Sequence, residues 1–115
     1  MHKVEELIIW KKAINLAKSV YLLSNELPNE EKFGLISQIK RCSISIPSNI
    51  AEGAGRNSKK EFKYFLSVAN GSAYELQTQL ILLVELNLIT QEKVQPVIEI
   101  CIEIQKMNYS FQKKL

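Results

Sequence analysis

Residues 42–66 read CSISIPSNIAEGAGRNSKKEFKYFL. The first part places Cys42, Ile46, Ile50 and Ala54 at helical intervals and loosens at Gly53 and Gly55. Arg56 and Asn57 make a short link. Ser58 then precedes Glu61 by three residues, a capping-box spacing. The serine hydroxyl accepts from the Glu61 N–H and the carboxylate reaches back to residue 58. Phe62, Phe65 and Leu66 resume the apolar period at once. Two helices joined so tightly must lie side by side and antiparallel.

Outward from this hairpin the same 3.6-residue pattern gives helices over about 7–26, 30–54, 58–87 and 91–113, with no sustained strand-type alternation. In the first, Trp10, Ala13, Ile14, Ala17, Val20 and Tyr21 share a face, and Pro28 stops it. Asn29 is the expected N-cap of the second, with Glu30 and Glu31 in its first turn and Phe33, Ile36 and Ile39 extending its inner side. The third continues through Ala69, Ala73, Leu76, Leu80, Leu83 and Val84 to about Asn87. The fourth follows Thr90, another N-cap candidate, and carries Val94, Val97, Ile98, Cys101, Ile104 and Phe111. The links 27–29, 56–57 and 88–89 are all short. The expectation is therefore all-α: one domain over residues 1–115, an up-down-up-down antiparallel four-helix bundle with the second helix kinked at Pro47.

Pro47 and Gly71 each break the helical rules. Pro47 frees the Ser43 carbonyl, with Ser45, Ser48 and Asn49 near enough to satisfy it. Gly71 should fall level with Cys42 and Ser43, which suggests close helix–helix approach; a hinge is the alternative at both sites. Arg41 and Glu75 should also be level and form a structural ion pair. Glu52 and Arg56 are an i,i+4 pair.

The chain has 115 residues, 46% of them apolar and 23% charged, which suits a soluble globular domain. Its acids are twelve Glu with no Asp, and His2 is the sole histidine. No Glu-x-x-His pair, no Ser/His/Asp set and no phosphate loop occurs; Gly53-Ala54-Gly55-Arg56 lacks a preceding strand and a Lys-Ser/Thr ending, so it reads as a helix end. The expectation is a protein with no enzymatic activity, no metal and no cofactor. Cys42 and Cys101 read as reduced core thiols. The mixed-charge start does not look like an export signal, and the run Ile81–Ile89 is broken by Glu85 and Asn87 and too short for a membrane span, so a cytoplasmic protein with no membrane partner is expected.

The bundle topology groups residues 1–13, 47–72 and 103–115 at one end. They hold ten Lys and Arg against five Glu, a net of +5, within a chain of net +3. Such a basic end is the footprint of a polyanion. The candidate phosphate contacts are Lys11, Lys12, Arg56, Lys59, Lys60, Lys63, Lys113 and Lys114. With Arg56 the one arginine among them, base-edge readout is not expected. Tyr64 beside Lys63 and Trp10 beside Lys11 and Lys12 can stack on bases, but Trp10 reads first as a core residue.

Apolar residues exceed what one bundle core needs. Ile8, Ile9, Leu16, Leu22 and Leu23 lie outside the main stripe of the first helix. Ile81, Leu82, Leu86, Ile100 and Ile102 form a further surplus. A helix apolar on two faces buries both, so these last five are the candidate interface of a homo-oligomer.

The run Ser45-Ile46-Pro47-Ser48-Asn49-Ile50-Ala51-Glu52-Gly53, followed by Gly55-Arg56, Ser58, Glu61-Phe62, Phe65-Leu66, Gly71-Ser72, Glu75-Leu76 and Gln79-Leu80, resembles the four-helix-bundle family named for the 23S ribosomal RNA intervening sequence. Trp10-Lys11-Lys12-Ala13 fits as well, and the resemblance covers nearly the whole chain. That family is similar to the accessory protein of diversity-generating retroelements, a basic pentamer of four-helix bundles that binds nucleic acid and a reverse transcriptase. The resemblance implies a homo-pentamer without catalysis, an adaptor for RNA or DNA, and a reverse transcriptase or other protein as a further partner. It carries over no catalytic residues. The alternative functional reading is a protein–protein scaffold that binds no nucleic acid; a small-ligand bundle is a third.

Overall fold

The computed structural model describes residues 2–31 and 34–115. Among these residues there are four α-helices and no strand: α1 (Ile8–Ser24), α2 (Leu35–Ala54), α3 (Lys59–Glu85) and α4 (Gln91–Lys114). Short 3-10 turns at Val4–Glu6 and Asn29–Glu31 precede α1 and α2. Each helix packs on the next in chain order, and α1 also packs on α4, the neighbour pattern of a bundle. The body measures 43 × 23 × 20 Å.

The core stripe of α1 differs from expectation. Ile9, Ala13, Leu16, Val20 and Leu23 are buried, whereas Ile14 and Tyr21 are exposed and Trp10 and Ala17 half-buried. The helix carries two overlapping stripes of 3,4 spacing that share Ala13 and Val20, and periodicity cannot rank them. The interior takes the one built from three large aliphatic side chains, since burying a Leu or Ile is worth about 1.5–3 kcal/mol. The ring of Tyr21 stays at the surface, where the Lys40 ammonium lies 4.9 Å from its centre. Of the expected surplus stripe on this helix, only Ile8 and Leu22 are left outside the core.

The start of α2 is also later than expected. Asn29, Glu30 and Glu31 form the 3-10 turn, and Gly34 rather than Asn29 is the N-cap position of α2. Glycine is the ordinary residue least disposed to continue a helix. The expected inward position of Phe33 lies outside the described residues. At the start of α3 the Ser58 hydroxyl accepts from the Glu61 N–H at 3.1 Å, as its spacing predicts. Asn87 closes α3 with φ 59°. Its N–H donates to Val84 O at 2.9 Å, and that of Leu88 to Leu83 O at 3.0 Å, a Schellman closure. Thr90 occupies the N-cap of α4 but makes no side-chain cap bond. Pro96 also lies inside α4 and is exposed, so the Glu92 carbonyl it deprives of a donor is near solvent.

Pro47 is buried within α2 and surrounded by satisfied polar groups. Asn49 Nδ2 donates to the Ser45 carbonyl at 2.8 Å, Ser43 Oγ donates to Lys40 O at 2.8 Å, and Ser45 Oγ meets Ser72 Oγ at 2.9 Å. Cys42 Sγ donates to the Ser72 carbonyl at 3.1 Å. The α2–α3 register is therefore the expected one, yet Gly71 is not at the contact. It is exposed, and a Cβ added there meets nothing within 4 Å. The close approach is at Gly53, where a Cβ falls 2.8 Å from Phe65 Cβ and 2.9 Å from Phe62 Cδ1. Arg41 and Glu75 form no ion pair; the Glu75 carboxylate bears instead on the Cys42 thiol.

Both cysteines are free and buried. Burial pushes each thiol from 9.0 up to about 12, with Glu75 adding to the effect at Cys42. A pKa raised on folding contributes stability that is complete below the unfolded value and lost as pH rises toward the folded one. Stability should therefore fall between about pH 9 and 12, and Cys42→Ser/Cys101→Ala should flatten that decline. Chemical denaturation at stepped pH checks this; equal declines in wild type and variant would remove the thiols as its cause.

Candidate functional site

Four remote segments converge at one end of the bundle. The His2 N–H donates to Ala54 O at 3.4 Å. The His2 ring packs edge-on to Phe62, with centroids 4.9 Å apart, and Phe62 lies 5.4 Å from Phe111. The N-terminus, the end of α2, the start of α3 and the end of α4 thus share an aromatic cluster, and their basic residues surround it. Lys59, Lys60 and Lys63 flank Phe62, Lys113 and Lys114 follow Phe111, and Arg56 follows Ala54; all six are exposed.

These cations differ in what they are free to do. Arg56 donates to Glu52 at 2.9 Å and sits 5.0 Å from the Phe65 ring centre. Lys12, half-buried, pairs with Glu103 at 2.5 Å. Such surface pairs, open to solvent on at least one side, are worth roughly 0–1 kcal/mol, but they leave less positive field for a ligand. Lys11, Lys59, Lys60, Lys63, Lys113 and Lys114 have no carboxylate partner among the described residues.

Lys59 and Lys60 are the first two residues of α3. The helix dipole is positive there and disfavours cations by about 0.3–1 kcal/mol each. Glu61 is the one acidic residue of that turn. Free N–H groups at a helix start and two unpaired ammonium groups make the same local site attractive to an anion.

Aromatic side chains alternate with the lysines. Tyr64 is 63% exposed and Tyr109 65% exposed. Each lies four residues from a lysine on its own helix, and the Lys113 ammonium rests 4.7 Å from the Tyr109 centroid. Trp10 is half-buried against the core, so Tyr64 rather than Trp10 keeps the accessible ring. Tyr109 did not stand out in the sequence; its i,i+4 spacing to Lys113 was the available signal.

A ladder of amides joins α3 and α4 below this end. Asn108 Nδ2 donates to the Leu66 carbonyl at 2.8 Å, Gln112 Nε2 to Asn108 Oδ1 at 2.6 Å, and Gln105 Nε2 to Gln77 Oε1 at 2.7 Å. Beside it lies an open groove of about 320 Å³ lined by Lys63, Asn70, Asn108, Tyr109, Gln112 and Lys113. Asn70 Oδ1 is buried there without a donor. A second groove, of about 550 Å³, is apolar along Leu7, Met107 and Phe111 and carries Lys106 and Lys114.

The five interface candidates do not share one surface. Ile81, Leu82 and Leu86 are exposed, while Ile100 and Ile102 are half-buried against the core. Ile81 and Ile102 lie one turn beyond the Gln77–Gln105 bond and are level with each other. At 3.6 residues per turn, Leu82 and Leu86 face another flank of α3, and Ile100 is roughly 200° from Ile102 around α4. Among the described residues no helix is long and apolar enough to cross a membrane.

The model of the family described as 23S rRNA-intervening sequence protein matches residues 5–110. A solved structure of a protein of unknown function, from the S23 ribosomal protein family of Bacteroides thetaiotaomicron, is similar. It superposes with a TM-score of 0.86 at 31% identity, covering 92% of this chain and 99% of that one. Comparison with curated proteins gave no match.

Proposed function

The chain belongs to the 23S rRNA-intervening sequence protein family, and from that membership and its charge layout we propose a non-enzymatic, cytoplasmic, self-associating adaptor that holds RNA or DNA at the basic end of an up-down-up-down bundle. The antiparallel course is supported by contacts whose numbers rise along one helix as they fall along the next. Cys42 meets Ser72 while Gly53 meets Phe65, Leu66 meets Asn108 while Gln77 meets Gln105, and Lys12 meets Glu103 while Glu26 meets Lys93. Buried Pro47 is the natural place for α2 to kink.

The observation that carries the nucleic-acid reading is the pair Lys59 and Lys60, exposed, unpaired and set against the dipole of α3. A placement that weakens the fold locally is expected where a ligand supplies the missing charge. Lys63, Lys113 and Lys114 extend that field and exposed tyrosines interrupt it, the combination that tracks a phosphate backbone.

Self-association is supported by two apolar patches on separate flanks, one at Ile81 and Ile102 and one at Leu82 and Leu86. Unlike patches pair head to tail, and such contacts form a ring where the rotation between copies closes. Five copies is the number the family resemblance implies. Native mass spectrometry should give five copies at micromolar concentration, and a stable monomer would remove the assembly.

Ultraviolet crosslinking in cells, followed by sequencing of the attached nucleic acid, tests the function. Recovered RNA or DNA fragments joined to the basic end are the expected result. A partner protein recovered without nucleic acid, through nuclease treatment, would replace this reading with that of a scaffold.

A further inference from the structure

We propose that the groove between α3 and α4 seats a single unpaired nucleotide, so that the protein prefers single-stranded or looped nucleic acid to a continuous duplex. This rests on the nucleic-acid reading and goes further, since phosphate contacts alone favour no strand state. Three observations converge. The groove holds about 320 Å³, at the lower end of the about 300–1,000 Å³ typical of small-ligand sites. Tyr109, 65% exposed, stands on its wall and offers a stacking surface that a base inside a duplex cannot reach. Asn70 lines the same groove, and its buried side-chain oxygen has no donor among the described residues. An unpaired base presents its Watson–Crick N–H donors to that oxygen once the amide turns toward the groove; a paired base has committed those donors.

Lys63 and Lys113 complete the site from the two helices, placed for the phosphates on either side of the seated nucleotide. The ammonium of Lys113 already lies over the Tyr109 ring and can pass to a phosphate as the base takes its place on the ring.

The test is fluorescence binding of a uridine oligomer and a blunt RNA duplex to the intact protein. Tyr109→Ala should weaken binding of the oligomer roughly tenfold or more and leave duplex binding unchanged. Tyr109→Phe should retain the affinity, because the ring rather than the hydroxyl does the stacking. Wild-type protein should prefer the oligomer, and polyglutamate should compete poorly. Equal losses on both probes, or no loss with Tyr109→Ala while wild type binds both, overturns the nucleotide site and leaves the phosphate-binding end standing. A changed assembly mass in Tyr109→Ala, with Tyr109→Phe unchanged, overturns it by assigning the ring to a copy–copy contact. Wild type that binds neither probe overturns both readings.

Discussion

Gly53→Val should leave most of the chain unfolded at physiological temperature, while Gly71→Ala, in the adjacent helix, should raise stability. At Gly53 the added Cβ would sit 2.8 Å from Phe65 Cβ and 3.2 Å from the Phe62 carbonyl oxygen. Neither atom is the movable end of a side chain, so α2 and α3 would have to separate where they pack most tightly. Overpacking of this kind costs about 1–3 kcal/mol for modest additions, and valine adds two further methyl groups. Total stability is only about 5–15 kcal/mol for a native protein. Gly53→Ala should lose about 1–3 kcal/mol despite better helix propensity. At Gly71 no neighbour opposes a Cβ, so alanine gains about 0.5–1 kcal/mol, a rise of roughly 4–8 °C in Tm per kcal/mol in a domain near this size. Thermal denaturation of the three variants reads the signs directly. A Gly53→Ala protein as stable as wild type would mean that the helices are not pinned there.

The second large effect is on binding. Exchanging Lys59, Lys60 and Lys63 for glutamate changes the net charge from +3 to −3 and places the reversal at the convergence of four segments. Binding of RNA should fall by at least about 100-fold at moderate salt, through lost phosphate contacts and new repulsion. The fold should not suffer. All three side chains are exposed, and glutamate at the first positions of α3 suits the dipole better than lysine does. Circular dichroism and assembly mass should therefore match wild type while the electrophoretic shift disappears. A retained shift would move the binding site elsewhere on the molecule.

The helical hairpin at residues 42–66 was legible because each of its signals is local: a capping hydroxyl three residues from its amide, and apolar residues returning every third or fourth position. The α2–α3 register followed from the turn: Gly71 was expected level with Cys42 and Ser43, and Cys42 bonds to Ser72, one residue on. What sequence could not give was choice between equivalents. The two stripes of α1 have the same period, and only packing against α2 and α4 selects Ile9, Leu16 and Leu23. Gly53 and Gly71 look alike in a string of letters; whether a neighbour fills the space beside them depends on interhelical distance. The charge layout was legible as grouping, and the Glu52–Arg56 pair followed from its i,i+4 spacing, but the pairing of Lys12 with Glu103 depends on side-chain reach. Asn70, with its carbonyl left unpaired by the amide ladder, had no signature in the sequence at all.

The salt dependence of RNA affinity bears most directly on whether the clustered lysines form a phosphate-binding end. Affinity measured from about 50 to 200 mM salt should give a straight line of log K against log salt. Its slope should be about −3 or steeper, corresponding to four or more phosphates at roughly 0.7 each for a single strand. A slope indistinguishable from zero, or no binding at the lowest salt, would contradict the account.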